Sequence, residues 1–583
     1  MKGESGLKEK ILKKLRVNSL SEIVEEVKWV SVYIKKYKWI ISIYFVFGLF
    51  STALSLGGSV LSKHLIDTVT GKDHSSILLI AIMYVGFGLA SIVFSAVSSR
   101  ISTKYSTRVT NEIQYEMYQI SLDVQWRYIK KFHTGDLINR ISGDVGTISG
   151  SILTWIPNFI IKFIQAIGCI AIILYYDPVM AVISIISTPV MVLLSRTLMY
   201  KMRVFSKKSR EASSRIMSFI QESYSNVQSI KAFGIIDDFN LKFRMIQEDF
   251  YSVIMQQNKF SVMTGMLMSV MGMIVSYSCY GWGVYRLWSG FISFGTMTMF
   301  LQLAGYLSNS FSALVSMVPS AIGTLTAIRR LIDVVELPKE EKDESIDLEK
   351  IKKESEESGI GINIKNGRFV YDDVEEVFNC LTFDAKPGEV VAVVGPSGSG
   401  KTTIFRILLG IAGITDGKST IGYEFENQKK EFNISASTRG LFAYVPQGNA
   451  VFYGTIADNM RIFNREASDE EIIEALKAAC AYEFVSKLDD GIDTILEEGG
   501  TNFSEGQKQR ICIARALVSR APVILIDEGT SALDSETEMK LLKNLTEYRH
   551  NKTFVVSTHR AGVLGICDRT YRIEDKTLAV ADN

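Results

Sequence analysis

Cysteine is scarce and scattered. Cys169, Cys279, Cys380, Cys480, Cys512 and Cys567 stand singly among 583 residues, with no CxxC spacing and no histidine cluster, so neither a disulfide framework nor a cysteine–histidine metal site is expected. An excess of one charge is missing too: 64 basic against 63 acidic residues leave a formal balance of +1, which gives no general nucleic-acid-binding surface. Residues 1–38 are rich in Lys and Glu and lack an apolar core followed by a small-residue cleavage site. They are not a secretory signal, and this segment is expected to stay cytoplasmic, against the membrane surface. What the chain has in abundance is apolar sequence, 47% of its residues at a mean hydropathy of +0.16, with length enough for two or three domains.

The apolar residues are concentrated in the first half. A helix that crosses a bilayer needs about 20 largely apolar residues, because hydrocarbon offers no partner to an open backbone. Six stretches qualify, near 39–62, 76–98, 153–176, 178–200, 263–286 and 294–320. Short turns at 71–75 and at Asp177–Pro178 alternate with long polar segments, 99–152 and 201–262. The first long segment carries seven Lys and Arg (Arg100, Lys104, Arg108, Arg127, Lys130, Lys131, Arg140) and the second ten, whereas the short turns hold only Lys72. Both long segments and both chain ends therefore face the cytoplasm. Ile113, Met117, Ile120 and Val124 recur at three- and four-residue spacing, so the membrane helices are expected to continue far below the bilayer.

Two cations interrupt the spans, Lys162 and Arg196. Each lies about 22–28 Å along a helix from the outer turn, close to the inner headgroups. Snorkelling toward the cytoplasm is the expectation, and lining an inward-facing substrate cavity is the alternative.

After Pro338 the composition changes, and the Lys/Glu run 339–357 reads as a solvated linker within 336–358. The soluble domain, 359–583, opens its chemistry with a β-branched run at 389–394 followed by Gly395, Pro396, Ser397, Gly398, Ser399, Gly400, Lys401, Thr402 and Thr403, and then a helical segment. This is G-x-x-x-x-G-K-[ST] in its strand–loop–helix setting. Glycines let successive N–H groups curl around phosphate oxygens, and the helix presents its positive end to the same anion. Lys401 is placed to neutralise the β- and γ-phosphates of ATP, and the Thr402 hydroxyl to ligate Mg²⁺. A second apolar run, 523–526, ends in Asp527 and Glu528: Asp527 is expected in the Mg²⁺ shell and Glu528 as general base toward the attacking water. A third, 554–557, leads to His559, a candidate sensor of the γ-phosphate.

Taken in order, these residues resemble an ABC exporter half-transporter of the six-helix, domain-swapped type IV kind, over nearly the whole chain. Tyr371 matches the aromatic that stacks on adenine, 395–403 Walker A, and Gln447 the Q-loop, a contact to nucleotide and Mg²⁺. Ser504, Glu505, Gly506 and Gln507 resemble the signature, Asp527 and Glu528 Walker B with its catalytic carboxylate, 531–534 the D-loop with Asp534, and His559 the H-loop. The resemblance implies a multi-domain membrane protein, an all-α transmembrane domain at 39–335 fused to an α/β P-loop NTPase. It also implies a dimer in which ATP lies between Walker A of one chain and Ser504, Gly506, Gln507 and Asp534 of the other. Coupling helices are implied near Asp136–Ser142 and Ala232–Asn240. Three departures stand out: Phe503 for the usual Leu, Glu505 for the usual Gly, and Gly529 for the usual Ala. A carboxylate at Glu505 is expected to weaken ATP binding or slow hydrolysis unless it points away or pairs with a cation, and Gly529 to loosen its loop.

The resulting expectation is an ATP-hydrolysing exporter in a bacterial plasma membrane that moves amphipathic small molecules, drugs or processed peptides by alternating access. It works as a homodimer or with a second half-transporter, and takes no nucleic acid. Lipid flipping is the alternative cargo, import on the same fold is open, and an ATP-gated channel or regulatory receptor is the alternative of another class. Only about 38 residues precede the first span, which disfavours a peptidase-fused peptide exporter.

Overall fold

The computed structural model describes all residues except 1–19, 72–75, 372–374, 449, 531, 548–550, 559 and 582–583. Two compact units emerge. One holds Met1–Gln119 and Thr134–Glu336; the other holds Ile120–His133 and Leu337–Asn583.

The first unit is helical. After an amphipathic helix α1 (Leu20–Lys36) come six helices, α2 (Lys38–Val69), α3 (Ile77–Asp123), α5 (Ile156–Tyr176), α6 (Pro178–Ser225), α7 (Ile236–Trp288) and α8 (Phe294–Val335), which take in the six expected spans apart from Ser76 and residues 153–155. Helices of 47, 48 and 53 residues in α3, α6 and α7 run about 70–80 Å, more than twice a bilayer's hydrocarbon. The expectation that spans continue beyond the membrane is met. Helix α5 follows Thr134–Asn139 through π-helical turns at Arg140–Asp144 and Ser151–Trp155. Helices α2, α5 and α8 pack together, and α6 pairs with α7. The buried cluster is built of small or soft side chains, among them Ala166, Cys169, Ala181, Cys279, Met297 and Met299, which suit close helix approach where lipid supplies no hydrophobic drive. At Gly295 any Cβ would stand 2.3 Å from the Lys63 carbonyl, so glycine sets the α2–α8 spacing.

Polar groups at the outer ends are satisfied in pairs. Asp177, 1% exposed, caps α6 through Val179 and Met180 N–H and accepts from Arg286 at 2.8 Å. Asp67, 5% exposed, takes bonds from Ser293 Oγ at 2.8 Å and Gly295 N at 3.1 Å and pairs with Lys63 at 3.1 Å. The Lys162 ammonium donates to Gln165 Oε1 at 2.8 Å, one turn C-terminal on the same helix, whereas the snorkelling expectation has it extend toward the N-terminal end that the sequence reading places at the inner headgroups. The side chain of Arg196 lies outside the described residues.

The second unit is a ten-stranded sheet in the order β5-β4-β1-β2-β12-β11-β3-β10-β9-β6. Its strands are β1 (Gly361–Tyr371), β2 (Glu375–Ala385), β3 (Val390–Val394), β4 (Asp416–Phe425), β5 (Gln428–Asn433), β6 (Phe442–Val445), β9 (Val523–Asp527), β10 (Thr553–Ser557), β11 (Arg569–Glu574) and β12 (Thr577–Ala581), with a separate pair β7 (Gly454–Thr455) and β8 (Ile495–Leu496). Strands β3, β10, β9 and β6 are mutually parallel and buried almost throughout, as runs of Val and Ile covered on both faces must be.

The stretch expected as a solvated linker is largely exposed and has fixed structure of its own. It carries α9 (Leu348–Glu354), and Ile351, 3% exposed, enters the sheet's core cluster. Glu340 holds Arg439 through paired bonds of 2.9 and 3.0 Å, and Lys339 bridges to Val124. Charge-rich composition marked this stretch as exposed, while its fixed position comes from ion pairs distant in sequence.

Candidate active site

Parallel strands deliver their C-terminal ends to one edge, and that topology assembles the site. Strand β3 runs into the phosphate loop, β9 into Asp527 and Glu528, β10 into Ser557 and Thr558, and β6 into Gln447. Because β10 lies between β3 and β9, with Ser557 opposite both Val393 and Asp527, the end of β3 becomes a neighbour of two strand ends that follow it by more than 130 residues.

The loop has the geometry its glycines foretell. Gly398 and Gly400 sit at φ +80° and +107°, and at Gly400 a Cβ would fall 2.8 Å from Val377, so only glycine fits both the angle and the space. Helix α10 (Lys401–Leu408) starts there. Lys401, 6% exposed, folds back to donate to the carbonyls of Gly395 at 2.8 Å and Pro396 at 3.2 Å. Its ammonium stands 3.8 Å from Glu528. Beside the loop a cleft of 930 Å³ is lined by 395–399 and by Glu376, Arg572 and Lys576.

Asp527 and Glu528 divide their work by environment. Asp527 is 1% exposed; its Oδ1 accepts from Ser557 Oγ at 2.6 Å, while its Oδ2 is buried with no hydrogen-bond partner among the described residues. A buried carboxylate oxygen without a donor is costly unless a cation meets it, so this residue fits a Mg²⁺ shell. The adjacent Tyr444 phenol is held above its ordinary pKa by burial and by the Asp527 charge. Glu528 sits at φ +53°, a left-handed conformation worth about 1–2 kcal/mol of strain for a residue with a Cβ. Its N–H is held by Ser557 O at 3.2 Å and Oγ at 3.0 Å, its carbonyl by Gln509 Nε2 at 3.1 Å, and its Oε2 by Gln447 Nε2 at 2.7 Å. Gln447 therefore contacts the general-base candidate.

Two residues of this shell escaped the sequence reading. Ser557 looks like an ordinary strand terminus, and Gln509 like one polar residue of a helix. The available signal was burial: Gln509, at 2% exposed, lies mid-helix in α11 (Glu505–Val518) and also accepts from Ala532 N at 3.1 Å.

At the signature, Ser504 caps α11 in a capping box with Gln507, accepting from its N–H at 3.3 Å and donating its own N–H to Oε1 at 2.9 Å. The Gly506 position admits no easy Cβ, which would lie 3.1 Å from Ala532 O. Glu505 pairs with Lys508, so the extra carboxylate has its cation, one of the two conditions under which it leaves ATP binding undisturbed. Phe503 packs in the core beside Phe484, filling the usual Leu site. Gly529 is needed for space, since a Cβ there would be 2.3 Å from Ile526 Cγ2. Asp534 holds Thr537 N and Oγ1 at 2.9 and 2.8 Å, and His559 lies outside the described residues.

Tyr371 ends β1 beside the phosphate loop, its hydroxyl 3.3 Å from Thr403 Oγ1 and accepting from Arg406 at 2.9 Å. Lys130 lies 4.6 Å over its ring, and Arg406 4.5 Å over Trp126. The short helix α4 (Trp126–Ile129) thus belongs to this unit, upstream of the expected Asp136–Ser142. That stretch stays in the helical unit, where Asp136 and Asp144 pair with Arg330. A four-residue helix is too short to show periodicity, so its docking was invisible in sequence. Ala232–Asn240 covers the end of the helix Val227–Ala232, the turn 233–235 and the start of α7, with Phe233 74% exposed.

Known proteins converge on this arrangement. The ABC transporter transmembrane region matches residues 41–311 and the ABC transporter ATP-binding family residues 378–531. An ATP-dependent lipid A-core flippase of Syntrophus aciditrophicus is 27% identical over 482 residues, covering 82% of this chain and 77% of its own. A multidrug resistance ABC transporter ATP-binding and permease protein of Lactococcus lactis is 25% identical over 515 residues, covering 86% and 83%. A bacterial Atm1-family ABC exporter solved with ATP bound superposes at a TM-score of 0.79 and 20% identity, over 93% of this chain and 94% of that one. The chain belongs to the ABC transporter family, as an export-type half-transporter with its multi-pass transmembrane domain and ATP-hydrolysing domain fused.

Proposed function

We propose that this chain pairs with a second half-transporter, a copy of itself or a relative, and uses Mg-ATP to export amphipathic small molecules, drugs or processed peptides across a bacterial plasma membrane. One observation carries the reading: Glu528, strained at φ +53°, is aimed between Lys401 and Gln447 beside a phosphate loop of complete geometry. The backbone of 395–403 and Lys401 bind the triphosphate, Thr402, Gln447 and Asp527 hold Mg²⁺, and Tyr371 supports adenine. Bound there, the metal offsets charge on the β- and γ-phosphates. Glu528 takes a proton from the attacking water, and His559 contacts the γ-phosphate. Ser504, Gly506, Gln507 and Asp534 close the site from the partner chain. Closure and release drive the spans between two accessibilities.

The test is Glu528→Gln in reconstituted protein. Steady-state ATPase is expected to fall at least 100-fold while ATP still binds. Negligible turnover before the substitution would favour a gated channel or receptor instead. Lipid flipping is the second reading, supported by the flippase relative, and uptake into inside-out vesicles separates it from release of soluble cargo.

A further inference from the structure

The six spans 39–62, 76–98, 153–176, 178–200, 263–286 and 294–320 contain no Asp or Glu, yet Lys162 sits well inside the third. Fifteen residues from the outer turn is about 22 Å, which leaves it about 8 Å inside the cytoplasmic edge of a 30 Å hydrocarbon layer. Two other cations near the membrane are each met by an acid: Lys63 by Asp67 at 3.1 Å and Arg286 by Asp177 at 2.8 Å. At Lys162 it supplies an amide.

The ammonium is turned away from the nearer water and donates to Gln165 Oε1 at 2.8 Å. Gln165, 7% exposed, is fixed from α8 by fully buried Ser310 Oγ at 3.3 Å, itself anchored to the Tyr306 carbonyl at 2.8 Å. One turn below, Asn158 accepts from the Tyr44 hydroxyl at 2.8 Å. A polar stripe thus runs along α5, with Asn158 and Lys162 partly exposed and Gln165 buried. The flanking Phe159 and Phe163 are 42% and 52% exposed.

A lysine at this depth, held in place by neutral groups and bordered by open aromatic surface, finds no acidic partner in the six spans, which contain no Asp or Glu. We propose that Lys162, Gln165 and Ser310 form an intramembrane acid-binding site, with Lys162 pairing the carboxylate or phosphate of an anionic amphiphile whose hydrocarbon lies on Phe159 and Phe163. This names the cargo class and rests on the export of amphiphiles proposed above.

The experiment measures ATPase stimulation, relative to each variant's own basal rate, in nanodiscs of phosphatidylcholine. Four probes are titrated: dodecanoate, phosphatidic acid, dodecanol and dodecyltrimethylammonium. Wild type is expected to respond to dodecanoate or phosphatidic acid at concentrations at least tenfold below dodecanol, and whichever acid acts identifies a free amphiphile or a lipid as the source. Lys162→Gln is expected to raise the half-maximal concentration of the acid at least tenfold and leave that of dodecanol within threefold, while Lys162→Arg stays near wild type. Should Lys162→Gln fail to fold, the wild-type contrast of dodecanoate with dodecanol still decides. Equal wild-type responses to acid and alcohol, or an unshifted acid response in Lys162→Gln, overturn the acid site and leave amphiphile export standing. Silence to all four probes in a protein with Glu528-dependent turnover overturns both.

Discussion

Gln509 makes the sharpest test of how the site is held. Its side chain joins α11 to the loop after β9, donating to the Glu528 carbonyl and accepting from Ala532 N, both at 3.1 Å. Gln509→Leu keeps the volume and removes both bonds. Each buried group that loses its partner costs about 1–3 kcal/mol, so with two such groups the ATPase domain should lose about 2–6 kcal/mol of stability. The local consequence is larger in kind. Glu528 carries about 1–2 kcal/mol of backbone strain at φ +53°, and with its carbonyl released that strain favours relaxation away from Lys401 and Gln447. Misplacement of a reacting group by about 1 Å costs up to about 10²-fold, so kcat should fall about 10–100-fold. The phosphate loop is untouched, so KM for ATP should stay within about threefold. Thermal unfolding and steady-state ATPase of the reconstituted protein measure both. A stable Gln509→Leu protein with wild-type kcat would refute the idea that this amide positions Glu528; a loss confined to KM would do the same.

Three further outcomes follow from packing and charge. Gly529→Ala places a Cβ 2.3 Å from Ile526 Cγ2 and should cost about 1–3 kcal/mol by overpacking, with a drop in kcat that Ile526→Ala in the same chain partly restores; a neutral single substitution would show that the loop has room. Asp177→Asn keeps the α6 cap but strips Arg286 of its acid, for about 1–3 kcal/mol, and Asp177→Ala should lose about 1 kcal/mol more; unfolding midpoints in detergent that do not rank Ala below Asn below wild type would contradict this. Lys552 is held down to about 8 from 10.5 by burial, so between those values the unfolded chain binds more protons and stability should rise with pH. Lys552→Met should flatten that rise, which melting curves at pH 7.5, 9 and 10 would reveal.

How much of this was readable from sequence depends on the range of the interactions. The long helices and the phosphate loop are local: a run of apolar residues, or glycines at fixed offsets, carries its physics within about 30 residues. Asp527 and Glu528 were legible because a buried strand must end somewhere polar. Ser557, Gln509 and helix α4 were not: Ser557 and Gln509 meet Asp527, Glu528 and Ala532 from separate elements 19 to 30 residues away, and Trp126 meets Arg406 from a distant part of the chain, so no local pattern encodes these partners.

Sequence alone therefore determined what kind of machine this is, since membrane insertion and phosphate binding are imposed by hydrophobicity and backbone freedom along a short stretch. Only the tertiary structure decided that Glu340 is answered by Arg439, that Asp177 is answered by Arg286, and that Gln165 beside Lys162 is held by Ser310. Those are questions of which charge or polar group lies opposite, and the fold's topology settles them by bringing distant residues within 4 Å.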